Sequence, residues 1–247
     1  MDSYSLSALA FVLSFVFALG GVGSAIVLVP VMHWFGIPLN EAKPTGLFVN
    51  TVSLVGASIS NIRNGTLDFS MGIPIILGSV ALAPLGAYLS IFMPEKLILG
   101  LFVAFLFFSG NMMLFFKRGK YKDQFRTDRP VVALVSVGGA AGLISGMLGV
   151  GGGGLIAPAM MLLGFNPKKI ATITAFVVPF SSLTGFVAYW TMGHFNPAVA
   201  LPVGLSACAG GYLGAHFMQS RMSPATVKRF LAIIILALGV KMLFKCF

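Results

Sequence analysis

Residues 149 to 154 read Gly-Val-Gly-Gly-Gly-Gly, inside an uncharged apolar region that runs from about Val131 to Phe165. In water such a glycine run is a loose turn. In a membrane it breaks a helix where no water can satisfy the exposed N–H and C=O groups. A break of that kind survives only if it is buried in protein or lines a cavity. Two questions follow: whether the chain lies in a membrane, and what the break is for.

Composition answers the first. The chain is 57% hydrophobic and 9% charged, with a mean hydropathy of +0.97, whereas a soluble domain carries about a quarter charged residues. The charges cluster between long uncharged runs. An all-α polytopic membrane protein is expected; a β-barrel would need alternating segments of about ten residues, and the runs do not alternate. The net charge of +10 would suggest nucleic acid in a soluble protein. Here the basic residues lie in loops, so the lipid bilayer is the expected partner and nucleic acid is not. Cys208 and Cys246 both lie in apolar runs and imply no disulfide framework. Met1-Asp2-Ser3-Tyr4 lacks the basic start of a cleavable signal, so the first apolar segment is expected to stay in the mature protein.

Read in order, the first apolar region runs from about Leu6 to Phe35, with Gly20-Gly21-Val22-Gly23 near its middle. A turn at Gly36-Ile37-Pro38 and a polar patch with Asn40, Glu41 and Lys43 follow. Spans are expected at about 45–62, 71–92 and 97–116. Residues 117–130 are hydrophilic and hold Lys117, Arg118, Lys120, Lys122, Arg126 and Arg129. The pattern then restarts: a glycine-broken region at 131–165, a turn at Asn166-Pro167-Lys168-Lys169, and spans at about 170–190, 198–218 and 225–244.

The restart is an internal repeat. Gly21-Val22-Gly23 matches Gly149-Val150-Gly151, Pro30 matches Pro158, and Gly36 matches Gly164, all at a spacing of 128. Ser53-Leu54-Val55-Gly56 matches Ser182-Leu183-Thr184-Gly185. Pro74 matches Pro202, Leu85-Gly86-Ala87 matches Leu213-Gly214-Ala215, and Met113-Leu114-Phe115 matches Met242-Leu243-Phe244. The expected organisation is a first transmembrane repeat at 1–116, a basic cytoplasmic linker at 117–130 and a second repeat at 131–247.

Charge arbitrates how the repeats are oriented. If each broken region crosses once, each half has four spans and the halves are parallel; the Lys and Arg residues then divide nearly evenly across the membrane. If each broken region enters and returns on one side, the halves are inverted. Lys168, Lys169, Arg221, Lys228 and Arg229 then join Arg63 and the basic linker, leaving Lys43, Lys96, Lys241 and Lys245 across the membrane. The second arrangement obeys the positive-inside rule better. The fold expected is two inverted repeats, each a broken helix or helical hairpin plus three transmembrane helices.

Gly149-x-Gly151-x-x-Gly154 matches the dinucleotide fingerprint in letters only. No acid lies about twenty residues on, and no Gly-Lys-Ser/Thr follows as a phosphate loop requires. Close helix packing through small residues is one reading of the run. The other is an unwound break whose free N–H groups face a cavity. A half-helix N-terminus favours an anion through its dipole and open amides, and inverted repeats would bring two such ends together. On this reading the candidate substrate-binding residues are Gly21, Gly23, Ser24, Gly151, Gly152 and Gly153 at the breaks. The next spans add Thr45, Asn50, Ser53, Thr172, Thr174, Ser181 and Ser182. Hydroxyls in membrane helices also bond their own backbone, which is the plainer role for each.

All six acids (Asp2, Glu41, Asp68, Glu95, Asp123, Asp128) fall in expected loops or ends. Cation pumps place carboxylates inside the membrane, so this pattern suits an anionic substrate. Arg63, Lys43 and the histidines could help an anion in; His33, His194 and His216 are candidate proton carriers, but more plainly interfacial polar residues. Gly204-Leu205-Ser206-Ala207 resembles the serine motif of intramembrane proteases, but His216 lies on the same expected span and no second-span base is evident.

Taken together, Gly149-Val150-Gly151-Gly152-Gly153-Gly154-x3-Pro158, Gly164, and Ala171-Thr172-x-Thr174 resemble the sulfite exporter TauE/SafE family. The weaker first-half copy with Pro30, and the two-repeat layout, extend the resemblance over essentially the whole chain. It implies a bacterial or archaeal inner-membrane transporter of sulfite, sulfonates or related small anions, with no covalent cofactor. One departure is visible. Ser24-Ala25-Ile26 stands where the second half has Gly152-Gly153-Gly154, so the two walls of a shared site would be unequal. With no nucleotide motif, secondary transport by alternating access is expected, driven by an ion gradient, with proton or sodium as the candidate coupling ion, or by the membrane potential. An anion channel or a non-transporting membrane subunit is the alternative; an enzyme is not expected.

Overall fold

The computed structural model describes residues 3–18, 23–63, 65, 67–115, 128–193, 195, 197–221 and 224–246. Among these residues all regular structure is helical. The order is α1 (Ser3–Ala18), α2 (Ala25–Trp34), α3 (Leu39–Arg63), α4 (Phe69–Ile91), α5 (Glu95–Phe115), α6 (Val131–Leu148), α7 (Gly153–Leu162), α8 (Pro167–Thr191), α9 (Pro197–Arg221) and α10 (Pro224–Cys246). Five of them (α3, α4, α5, α6 and α8) are long and apolar enough to cross a membrane. The basic segment 116–127, together with Gly20, Gly21 and His194, lies outside the described residues.

Both broken regions are a longer helix followed by a ten-residue one. The break after α6 is four residues long. Gly149 ends α6 in the left-handed conformation (φ 73°) with its N–H on Ser145 O at 2.8 Å. Gly151 repeats that conformation before α7 starts. In the first half Gly23, at φ 88°, holds the equivalent place before α2. Only glycine takes such φ values without strain, which fixes where each helix stops and restarts. The ends of α2 and α7 also match. Ile37 N–H bonds Met32 O at 3.1 Å and Phe165 N–H bonds Met160 O at 3.2 Å, each across a left-handed glycine, Gly36 or Gly164. This is the glycine-terminated helix ending, and it gives the sequence matches Gly36/Gly164 a physical basis.

Contacts set the direction of each helix. Lys169 Nζ lies 2.7 Å from Asp68 Oδ2, so the starts of α4 and α8 stand at one end of the molecule. The Lys169 ammonium, with the Ser70 hydroxyl, holds the Asp68 carboxyl down at about 2. From that end α3 and α8 run antiparallel. Ser58 donates to Ala175 O at 2.9 Å, Asn50 to Ser182 Oγ at 3.0 Å, and Lys43 Nζ lies 5.7 Å from the Tyr189 ring centroid. α6 runs parallel to α4. Gly138, Gly142 and Gly146, four residues apart, sit on the carbonyls of Ile75, Ser79 and Ala83, where a methyl group would collide with backbone. This is close packing through small residues. Leu134 at the start of α6 shares an apolar cluster with Met160, Met161 and Phe165 at the end of α7, and with Met71, Ile75 and Ile170. Region 131–165 thus leaves and returns to the end that holds Asp68.

The same packing recurs with the halves exchanged. α1 runs parallel to α9, with Gly210 and Gly214 on the carbonyls of Phe11 and Phe15. The Gly86–Leu143 approach in the α4/α6 pair is the 128-residue image of Gly214–Phe15. At the neighbouring position the small residue changes sides: Gly139 meets Leu82 in one pair and Gly210 meets Phe11 in the other.

One expectation needs revision. The polar patch with Asn40, Glu41 and Lys43 reads as a turn before a span at residue 45, but α3 begins at Leu39. Lys43 is helical and 0% exposed, because residues of α4, α6 and α8 close over it. Likewise Pro167 opens α8 rather than forming part of a turn.

Candidate functional site

Asn50 lies at the middle of α3, and both helix breaks converge on its side chain. A Cβ added to Gly23 would collide with Asn50 Oδ1, and one added to Gly151 would collide with Asn50 Nδ2. Both glycines therefore have to be glycine twice over, for their left-handed φ and for the space the amide fills. Asn50 Nδ2 donates to Ser182 Oγ of α8 at 3.0 Å, both residues being fully buried. Asn50 Oδ1 has no hydrogen-bond partner among the described residues. An enclosed acceptor left unmade costs about 1–3 kcal/mol, so its natural complement is a donor, a water or a protonated oxygen of a ligand.

Each break also delivers a helix start. Ser24 is the N-cap residue of α2 and Gly152 that of α7, neither with a side-chain cap bond, and the first amides of a helix have no intrahelical partner. Two half-helix N-termini thus flank one amide side chain. Ser53, three residues on from Asn50, is buried with its hydroxyl unpartnered, against Gly211 of α9. The site is lined by amides and hydroxyls. The acids among the described residues (Glu41, Asp68, Glu95 and Asp128) all sit at or beyond helix ends, and no cluster of metal-ligating side chains occurs there.

Of the residues picked out from the sequence, the fold brings together Gly23, Asn50, Gly151 and Ser182, with Ser53 beside them. Ser24 is buried and pairs with Ser14 of α1 at 3.0 Å, a partner the sequence does not signal. Gly153 is buried in the first turn of α7. Gly152 faces α6 instead: its Cβ would lie 3.1 Å from Ala141 Cβ, so this glycine packs helices. Thr45, Thr172 and Ser181 bond their own helix, to Glu41 O, Lys169 O and Val178 O. Thr174 is buried without a partner, two turns from Ser182 or about 12 Å along the helix. Gly21 lies outside the described residues. Ser206 and His216 lie on one helix, about 15 Å apart along it, and His216 stacks on Tyr212 at 6.5 Å. They do not form a serine–histidine pair.

Sequence reasoning missed the polar groups that act between helices: Ser14, Ser58, Ser90 and Tyr189. The one available signal is the seven-residue step from Ser182 to Tyr189, which keeps both on the face of α8 that meets α3.

The family description "Sulfite exporter TauE/SafE" matches residues 6–242, taking in both breaks and every helix that meets at Asn50. The chain belongs to the TauE/SafE family. Among its relatives, the probable membrane transporter protein YunE of Bacillus subtilis is 28% identical over 250 residues, covering 91% of each chain. A probable membrane transporter protein of Methanocaldococcus jannaschii is 23% identical, covering 94% of this chain and 92% of its own. The Sulfite exporter TauE/SafE family protein 3 of Arabidopsis thaliana is 31% identical over 43% of this chain and 22% of its own. As a TauE/SafE protein the chain is a multi-pass membrane transporter, and the convergence at Asn50 lies where its two broken regions meet.

Proposed function

We propose that this protein is a secondary transporter of a small oxyanion, sulfite or a sulfonate, and that the anion binds at Asn50 between the two breaks. The observation that carries the reading is the meeting of two half-helix starts on one buried amide, with no carboxylate beside it among the described residues. Helix N-termini favour negative charge, and a site walled by hydroxyls and amides orients oxygen atoms without a countercharge. The name of the family and of its plant relatives supports a sulfur oxyanion as the first substrate to try.

Alternating access follows from inverted repeats. The support is geometric: α3 and α8 are sequence counterparts yet run antiparallel, and Asp68 and Lys169 meet at one end, where four plain spans per half would separate them. A two-fold axis along the membrane normal would leave counterparts parallel. On this reading the two hairpins enter from opposite sides, the basic linker is cytoplasmic, and the membrane is the cell's inner membrane. A proton or sodium gradient supplies the drive.

The test is counterflow in proteoliposomes. Labelled sulfite and methanesulfonate are presented outside vesicles loaded with the unlabelled anion or left empty, with and without a pH gradient. Saturable uptake stimulated by internal anion supports the transporter. Unsaturable flux with single-channel currents supports the channel instead, and no anion flux removes both.

A further inference from the structure

A second polar group lies on the same seam as Asn50, two turns away. Lys43 and Asn50 are seven residues apart on α3, about 10 Å along one face, and their opposite numbers Tyr189 and Ser182 are seven apart on α8. Lys43 is 0% exposed, with Ser90 and Tyr189 also buried. Its Nζ donates to Ser90 Oγ at 3.2 Å, and Ser90 Oγ lies 2.6 Å from Tyr189 Oη. Tyr189 spends its one proton on Gly146 O at 2.9 Å. Ser90 Oγ also lies 2.8 Å from Ala87 O, so its one proton is shared between Ala87 O and Tyr189 Oη, and the two hydroxyls link the ammonium to a carbonyl of α6. Three residues on, Gly149 at the break packs on the Lys43 stem.

This ammonium makes no ion pair among the described residues. The acid whose charge acts on it, Glu95, is mostly solvent-exposed and stands 3.9 Å from His33. A buried charge is retained against its desolvation only when paired or put to use. Among the described residues the Lys43 ammonium makes one hydrogen bond, to Ser90, out of the three it can donate, and its stem lies beside the break on the face of α3 that leads to Asn50. The sequence counterparts of Lys43 in α8 are Ala171 and Thr172, so the second half has no equivalent cation.

We propose that Lys43 is a second anion station: its ammonium, positioned by the Ser90 oxygen that accepts from it, holds the oxyanion on the route between Asn50 and the end of the molecule opposite Asp68. This deepens the transport reading above and rests on it. Lys43 supplies the charge selection that the neutral Asn50 site lacks, and it does so on one side only. The expected consequence is transport whose apparent affinity differs between the two faces of the membrane.

The experiment is labelled-sulfite counterflow with purified wild type, Lys43→Met, Lys43→Arg and Ser90→Ala in proteoliposomes, with thermal melting of each in detergent. Lys43→Met should raise KM for sulfite at least tenfold and melt no lower than wild type, since it removes an uncompensated charge. Lys43→Arg should keep KM within about threefold, and Ser90→Ala should raise it several-fold. Sulfite should raise the Tm of wild type more than that of Lys43→Met. A wild-type KM in Lys43→Met, or in Ser90→Ala should Lys43→Met not fold, overturns this station while leaving sulfite transport intact. A lower Tm for Lys43→Met with unchanged KM makes the chain a structural tie and overturns it equally. Wild type that moves no anion overturns both readings.

Discussion

Asn50 and Ser182 are 132 residues apart in sequence and joined by a 3.0 Å hydrogen bond between buried side chains. The bond ties the midpoints of two antiparallel helices, and each end of the Asn50 amide also touches one helix break. The bond should be energetically visible. Asn50→Ala and Ser182→Ala should each destabilise the protein, and the double variant should lose less than their sum, with a coupling of about 1 kcal/mol. Chemical denaturation in detergent measures it; strictly additive losses would show that the pair does not interact.

The glycine run should divide sharply in its tolerance. Gly151→Ala puts a methyl into Asn50 at a φ of 73° and should abolish transport. Gly152→Ala meets Ala141 at 3.1 Å and needs a shift of only a few tenths of an ångström, so it should keep most activity. Combining Gly151→Ala with Asn50→Gly should recover folding stability lost by Gly151→Ala alone, because the collision partner is gone. Equal loss in Gly151→Ala and Gly152→Ala would place both in the packing of α6.

The Asp68–Lys169 ion pair sets a pH dependence. The folded Asp68 carboxyl titrates at about 2, below the unfolded value of about 3.9. Its stabilisation is therefore fully present above about pH 4 and is lost as pH falls through 2. Asp68→Asn should lower stability by about 0.2–1 kcal/mol, the range of an exposed pair. The gap between wild type and variant should hold constant from pH 7 to pH 4 and close below. A gap that closes already between pH 7 and pH 5 would contradict the pairing.

Sidedness follows from the same contact. In a background with Cys208 and Cys246 replaced by serine, cysteines at Arg63 and Lys169 should be labelled by a membrane-impermeant maleimide from one face. A cysteine at Phe92 should be labelled from the other. Labelling of 63 and 169 from opposite faces would remove the inverted arrangement.

Much of this was legible in the sequence because it depends on local pattern. Long uncharged runs mark the helices, and the left-handed glycines at 23, 36, 149, 151 and 164 mark where they stop. Asn50, an amide in the middle of an apolar run, stands out for the same reason. What could not be read is the partner of each polar group. Lys43 looks like part of a turn because its neighbours Ser90, Gly149 and Tyr189 come from distant parts of the chain. Gly152 and Gly151 are adjacent and identical in composition, yet one faces Ala141 and the other Asn50; only the φ values of the break separate them. Thr45, Thr172 and Ser181 match the pattern of a binding hydroxyl, but each bonds a carbonyl of its own helix.

On the proposed function the two breaks meet at Asn50 to make the anion site. The most direct measurement is the KM for sulfite counterflow by Asn50→Ala beside wild type, with Tm recorded for both. The expected result is a saturable wild type and a variant whose KM rises at least tenfold while it still melts cooperatively. A folded Asn50→Ala with the wild-type KM would contradict it.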